Sequence, residues 1–337
     1  MIFKKSLKVI FVLALLQVGS AAMACDYRLA QSFPDECAIQ DKYAGLKSQF
    51  ASLGIDINYI AEYRALRFIG RAPWEKAVKK ETPINEIYDP APKTWETWSQ
   101  GAAYLEQAPM SLGFTSDHYL IKQFNKYSIS KDTMFKMKRS TRDEIMCPGV
   151  TRHLSKNDAG WTYKSAKKAR AAKKQIADMG SDLPVELKAD GKFIGYVAGK
   201  QVPQELANWQ FNSQNSLDKV NQGLEGPIEA GAKMQRWLVA IHPFYDGNGR
   251  TSRLVQDYVS RSFNMPYAPT GDLSNDILSF SHVYVDRTKN KISTMLTLLD
   301  QCLAFHKGAA SSLGNNLTYR CQILPRVSLM TPETCER

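Results

Sequence analysis

The stretch PIEAGAKMQRWLVAIHPFYDGNGRTSRLVQDYVSRSF, residues 227–263, holds two apolar-faced helical patterns separated by a short polar turn. In the first, Ile228, Gly231, Ala232, Met234, Trp237, Leu238 and Ile241 recur at steps of three and four, the period of a helix. This predicts a helix from about Pro227 to Ala240, stopped by Pro243. The second pattern starts near Gly249 or Arg250, carries Leu254, Val255, Tyr258, Val259 and Phe263, and ends before Pro266. Two consecutive apolar-faced helices are most simply core helices packed on each other.

The turn between them, His242-Pro243-Phe244-Tyr245-Asp246-Gly247-Asn248-Gly249-Arg250, carries an unusual density of chemistry. Gly247 and Gly249 tolerate positive φ, so their N–H groups can curl into a nest that suits an anion. The next helix begins there, and its N-terminal amides and dipole add to the same site. Arg250 and Arg253 stand three apart, on one helix face, with side chains suited to bidentate phosphate contacts. Asp246 is a hard oxygen ligand of the kind that holds Mg²⁺ against phosphates. His242 is the group of this segment able to take a proton near neutral pH. Phe244 is expected in the core, pinning the loop. The set fits a nucleotide di- or triphosphate with its metal and a base alongside.

HPFYDGNGR followed by Arg253 resembles the motif of the Fic family, HPFx[D/E]GNGRxxR, at every specified position. The resemblance implies a Fic domain over about residues 110–300, an all-α bundle with one small β-hairpin flap. It also implies an activity, transfer of a nucleoside monophosphate, most often AMP from ATP, onto a Ser, Thr or Tyr hydroxyl of a target protein. His242 would be the general base and Asp246 the Mg²⁺ ligand. Asn248 would meet the α-phosphate, Gly247 and Gly249 would line the anion hole, and Arg250 and Arg253 would hold the outer phosphates. Gly249 differs from the Lys of the phosphorylating Doc branch, and Gly247 from the Ala of the phosphocholine-transferring branch. UMP, GMP or phosphocholine as the group transferred, and an inactive binding module, stay open as alternatives.

Upstream, the β-branched and aromatic segment 192–202 (KFIGYVAGKQV) predicts a short hairpin turning at Gly195 or Gly199 and ended by Pro203. It resembles the family's flap, so Lys192, Phe193, Ile194, Gly195, Tyr196 and Val197 are expected to dock a target backbone as an added strand. Ala159-Gly160-Trp161 resembles a weaker family element. Residues 115–127 predict a helix capped by Thr115, Ser116 or Asp117. Many family members carry an inhibitory glutamate in [S/T]xxxE[G/N]. Thr82–Glu86, Ser140–Glu144 and Ser32–Glu36 have the first spacing, but Ile87, Ile145 and Cys37 follow. No built-in inhibitory glutamate is expected, and a separate antitoxin partner is one alternative restraint.

Residues 25–109 mix aromatics with Pro73, Pro83, Pro90, Pro92 and Pro109 and read as an irregular, partly helical region of unknown role. Residues 301–337 read as a polar tail stapled by cystine. Hydrophobic residues make up 44% of the 337, enough for a packed core, which excludes wholesale disorder.

Residues 1–24 have the three parts of a cleaved signal peptide: Lys4, Lys5 and Lys8, an apolar run from Val9 to Leu16, and small residues at Ala22 and Ala24. An uncleaved anchor or a lipid site at Cys25 are the alternatives. The formal charge of +11 falls by the three leader lysines to +8. The basic run Lys164–Lys174 reads as a solvated helix face, and no nucleic-acid-binding pattern accompanies it. Cys25, Cys37, Cys147, Cys302, Cys321 and Cys335 all follow the leader, an even count that predicts disulfides, with Cys25–Cys37 and a bridge among the last three as local pairings. The expected location is the periplasm or beyond, with no stable membrane insertion after cleavage. An exported ATP-using enzyme meets ATP in another cell's cytosol, which points to a secreted effector or toxin. An envelope enzyme using a nucleotide sugar or CDP-choline is the competing reading.

Overall fold

The computed structural model describes residues 25–331 apart from 26, 70, 88–93, 110–113, 115–117, 130–159, 163–169, 171–173, 175–181, 186–187, 191–192, 270–276, 278 and 310–315. The leader, Cys147, Cys335, Thr115–Asp117, Ser140–Glu144 and all of Lys164–Lys174 but Arg170 and Lys174 therefore lie outside the described residues. The N-terminal helices are α1 (Tyr27–Ser32), α2 (Pro34–Ser52), α3 (Ala61–Phe68), α4 (Arg71–Lys80) and α5 (Thr94–Gln107). Helix α6 (Tyr119–Tyr127) follows, then strands β1 (Gly160–Thr162), β2 (Lys188–Asp190) and β3 (Phe193–Gly195). The C-terminal half is α7 (Val202–Asn221), α8 (Pro227–Ile241), α9 (Asn248–Ser262), α10 (Ser281–His306) and α11 (Leu317–Arg320).

Helices α8 and α9 form as their apolar period predicts. Pro227 sits in the first turn of α8, where its missing N–H costs nothing. The C-terminus of α8 is closed by His242 in the left-handed region (φ 53°), whose N–H bonds the Leu238 carbonyl at 3.1 Å. Val239, Ala240 and Ile241 of α8 and Leu254, Val255 and Val259 of α9 are fully buried in the seam. Trp209 of α7 is fixed over α8 by an indole N–H donated to the Met234 carbonyl at 3.0 Å.

The region before residue 110 is helical rather than irregular. Its prolines punctuate helices instead of preventing them. Pro34 and Pro73 lie in first turns, Pro83 precedes a 3₁₀ turn, and Pro109 follows α5. Residues 109 and 110 mark no break in the core, because one continuous apolar cluster runs from Ile39 through Val255 to Leu324.

Two long-range polar contacts bolt this region to the helix pair. The buried Glu36 carboxylate accepts the Ile228 N–H at 2.7 Å, capping α8 from α2, and meets Lys289 of α10 at 3.0 Å. Burial raises the Glu36 carboxyl above its ordinary range, partly offset by the Ile228 and Lys289 contacts. Arg67 of α3 donates to Asp257 of α9 through Nε at 3.2 Å and Nη2 at 2.9 Å, with both residues buried. Burial opposes the Arg67 charge, but Asp257 together with Tyr267, Glu106 and Tyr63 outweighs it and the guanidinium stays protonated.

The tail is tied down as well. Cys302 of α10 is bridged to Cys321, Cys25 to Cys37, and Ile323 pairs with Ile60 in an isolated β-bridge. Among the described residues no helix is long and apolar enough to cross a membrane.

The strands make one antiparallel sheet in the order β1-β3-β2. The hairpin is thus Lys188–Gly195, displaced toward the N-terminus from the expected 192–202. Asp190 opposes Phe193, and the two residues between them lie outside the described residues. Pro203 does not end a strand but stands in the first turn of α7. Helix α6 starts at Tyr119 with His118 at its N-cap (φ 57°).

Candidate active site

His242 and Arg250 flank a turn whose shape is set by three devices. Gly247 adopts φ +76°, which an L side chain would strain, and a Cβ there would come within 3.1 Å of the Asn125 amide nitrogen. Asn248 then folds its side chain back, accepting the Phe244 N–H and donating to the Phe244 carbonyl, both at 2.7 Å. Phe244 itself is 1% exposed, anchored in the core as expected. Finally, Asn125 of α6, fully buried, donates to the Asp246 carbonyl at 2.8 Å and to the Thr251 hydroxyl at 3.2 Å. Replacing Gly247 by Ala should therefore cost about 1–2 kcal/mol from the left-handed backbone alone, read as a lower unfolding midpoint together with weaker nucleotide binding.

Gly249 does not share the positive φ of Gly247. It lies in the first turn of α9, where helical geometry serves and its small size leaves the approach open. The first intrahelical bond runs from Thr251 N–H to the Gly247 carbonyl at 2.8 Å. The amides of Asn248 and Gly249 therefore point out of the positive end of α9.

The charged groups are brought to the same place. Arg250 donates to Asp246 at 3.2 Å. Burial lowers the Arg250 pKa, and Asp246 offsets that in part. Arg253, one turn on, lies 5.0 Å over the Trp98 ring of α5, and Trp98 stacks on Phe68 at 4.7 Å. Asp257, four residues further, is also within the electrostatic reach of Arg253. Residues 25–109 thus supply the bed of one site arginine. The His242 ring is covered on one face by Tyr196, with centroids 3.8 Å apart and planes 11° apart.

His242 closes α8, Asp246 and Gly247 lie in the turn, and Asn248, Gly249, Arg250 and Arg253 follow in the first turns of α9. The expected docking residues do not behave as one surface. Tyr196 and Val197, beyond the end of β3, are 5% exposed and present no docking face. Chain enclosure before α7, rather than a solvent-facing flap, accounts for this. Lys192 lies outside the described residues, and Phe193, Ile194 and Gly195 form β3, which is paired on both sides by β1 and β2. Among the described residues, the edges of the sheet belong to β1 and β2, not to β3. Trp98 and Asn125 escaped the sequence reading. A buried polar Asn within an apolar helical period was the one available signal.

The three glutamates considered as inhibitors are also placed. Glu36 caps the N-terminus of α8, roughly 21 Å of helix from His242 at 1.5 Å per residue. Glu86 ends a 3₁₀ turn, Ile84–Glu86, and Ser140–Glu144 lies outside the described residues.

The donor chemistry fits a phosphate-bound Mg²⁺. That ion takes one or two carboxylates and completes its shell with substrate oxygens, so the half-exposed Asp246 carboxylate suffices without an all-protein cage.

Comparison with known proteins places this helix–turn–helix. Residues 167–260 match the Fic/DOC family. A 56-residue segment, 16% of the chain, is 43% identical to a uridine 5'-monophosphate transferase of Xanthomonas campestris pv. campestris, covering 10% of that protein. A Fido domain-containing protein of Dictyostelium discoideum is 28% identical over 91 residues, 26% of this chain and 64% of its own length. The chain therefore spans less than two thirds of either relative. Among solved structures, a Fic domain-containing signaling protein from Bacteroides thetaiotaomicron is similar with a TM-score of 0.45 at 14% identity, covering 86% of this chain and all of the other. A Fic-1 fragment from C. elegans gives 0.42 at 12% identity, covering 85% and 74%.

Proposed function

We propose that the protein transfers a nucleoside monophosphate from a nucleoside triphosphate to a hydroxyl side chain of a target protein. The observation that supports this most is the convergence of His242, Asp246, Arg250 and Arg253 on the N-terminal end of α9, around a turn held open by Gly247. The triphosphate is bound by the outward amides of α9 and by the two arginines. Arg250 exchanges its internal partner Asp246 for phosphate oxygens, which releases the carboxylate for the metal. Bound Mg²⁺ would neutralise the pyrophosphate charge. His242 takes the proton of the acceptor hydroxyl, the oxygen bonds to the α-phosphorus, and the bond to pyrophosphate breaks. Binding and charge compensation supply most of the rate.

AMP from ATP is the first donor to test. The segment shared with a uridine 5'-monophosphate transferase favours UMP from UTP as the second reading. The target strand pairs with the outer edge of β1 or β2, since β3 is internal. Export behind a cleaved leader, with Cys25–Cys37 and Cys302–Cys321 as staples, suits an effector or toxin acting in another cell.

The test is label transfer from each of the four nucleoside triphosphates, α-labelled and γ-labelled, to the protein itself or to a cell lysate in the presence of Mg²⁺. Transfer of α-label alone is expected. Transfer of γ-label alone would make the protein a kinase instead, and transfer of neither would favour a different diphosphate donor or a binding module.

A further inference from the structure

We propose that Tyr196 is a positioning residue for His242, and that it ties the orientation of the base to the flap sheet. The proposal rests on the reading of His242 as the base. His242 stands at the end of α8, in the left-handed region, with Pro243 next. A side chain leaving a helix terminus there is not confined by flanking turns of the helix. The Tyr196 ring supplies confinement: at 3.8 Å and 11° it lies almost flat on the imidazole. Stacking of this kind constrains the plane of the imidazole through its face, and does not itself use the ring edge on which the nitrogens lie. A hydrogen-bonding partner would hold the ring by occupying one of those nitrogens.

The support is itself rigid. Tyr196 is 5% exposed, and it follows immediately on Gly195, the last residue of β3. Gly195 is in register with Gly160 of β1 and Lys188 of β2. The strand that carries Tyr196 is therefore held from both sides, one residue away from the ring beneath the base. A shift of β3 moves that ring, so the sheet and the base are mechanically coupled.

The experiment compares Tyr196→Phe and Tyr196→Leu in the otherwise intact mature protein. Both keep an apolar group in the buried site, and Phe alone keeps the stack. Tyr196→Phe should hold kcat within about threefold. Tyr196→Leu should lower kcat roughly 10- to 100-fold, the range that misplacement of a reacting group produces, with the nucleotide KM unchanged. In parallel, NMR of the His242 imidazole reports the stack without reference to activity. The ring-current shift should persist in Tyr196→Phe and vanish in Tyr196→Leu. Full kcat in Tyr196→Leu, or a loss appearing only in KM, overturns the proposal. Should the wild-type protein transfer nothing from any nucleotide, the function reading fails, and the NMR arm decides alone: a shift unchanged in Tyr196→Leu overturns the positioning role, and its loss sustains it.

Discussion

His242→Ala should lower nucleotidyl transfer by about 10²–10⁴-fold, the usual contribution of a positioned general base, with nucleotide affinity little changed. The separation of the two effects follows from the geometry. The imidazole stands at the end of α8 with Tyr196 across its face, whereas Arg250 and the amides proposed to bind phosphate belong to α9. Because position 242 has φ 53°, an Ala there is strained, and some loss of stability must be separated from loss of catalysis. His242→Asn provides the control, since Asn tolerates the left-handed region and lacks a titrating group near neutrality. Both variants should be inactive, and the Asn variant should unfold nearer the wild-type temperature. Steady-state transfer rates, nucleotide titration calorimetry and thermal melts together check the expectation.

Asp257→Ala should destabilise the fold by about 3–5 kcal/mol, because it leaves the Arg67 charge buried without its carboxylate. That amounts to a drop in unfolding midpoint of about 4–7 °C for a chain of this size. Arg67 is 1% exposed and Asp257 4%, so solvent cannot enter to compensate. The double variant Arg67→Met, Asp257→Leu should recover most of the loss, since apolar groups of similar volume replace a buried pair at little cost. Recovery in the double variant separates an uncompensated charge from a simple cavity. Asp257 also lies within electrostatic reach of Arg253, so the single variant should weaken nucleotide binding in addition.

The helix pair and its turn were legible in the sequence because they are specified locally. The three- and four-residue period of α8 and α9, Pro227 at the start, Pro243 at the stop and the glycine at 247 are readable without knowledge of any distant contact. The N-terminal helices were not legible for the opposite reason. Their decisive contacts cross 192 residues between Glu36 and Ile228 and 190 between Arg67 and Asp257. Their prolines, read one by one as helix breakers, occupy first turns and junctions where proline is tolerated. The hairpin was found but displaced, because Gly195 and Gly199 drew the expected turn past Phe193–Gly195, which is a strand paired with Lys188–Asp190.

Within the candidate site, two contacts had no local signature. Asn248 carries its carboxamide back to Phe244, and Arg253 rests on Trp98 from a helix more than a hundred residues earlier. Tyr196 was singled out for its place in a β-prone segment, and the structure gives it a different neighbour, the His242 ring. Side-chain partners of this kind arise from packing, which pattern and propensity do not encode.

The most direct measurement is a crystal structure of the mature protein with Mg²⁺ and a triphosphate analogue that resists cleavage between its α- and β-phosphates. The expected result is a pyrophosphate seated on the Asn248 and Gly249 amides and on Arg250 and Arg253, Asp246 turned to the metal, and the α-phosphorus facing His242. A nucleotide bound elsewhere, or seated with its γ-phosphate rather than its α-phosphate at His242, would contradict nucleotidyl transfer at this turn.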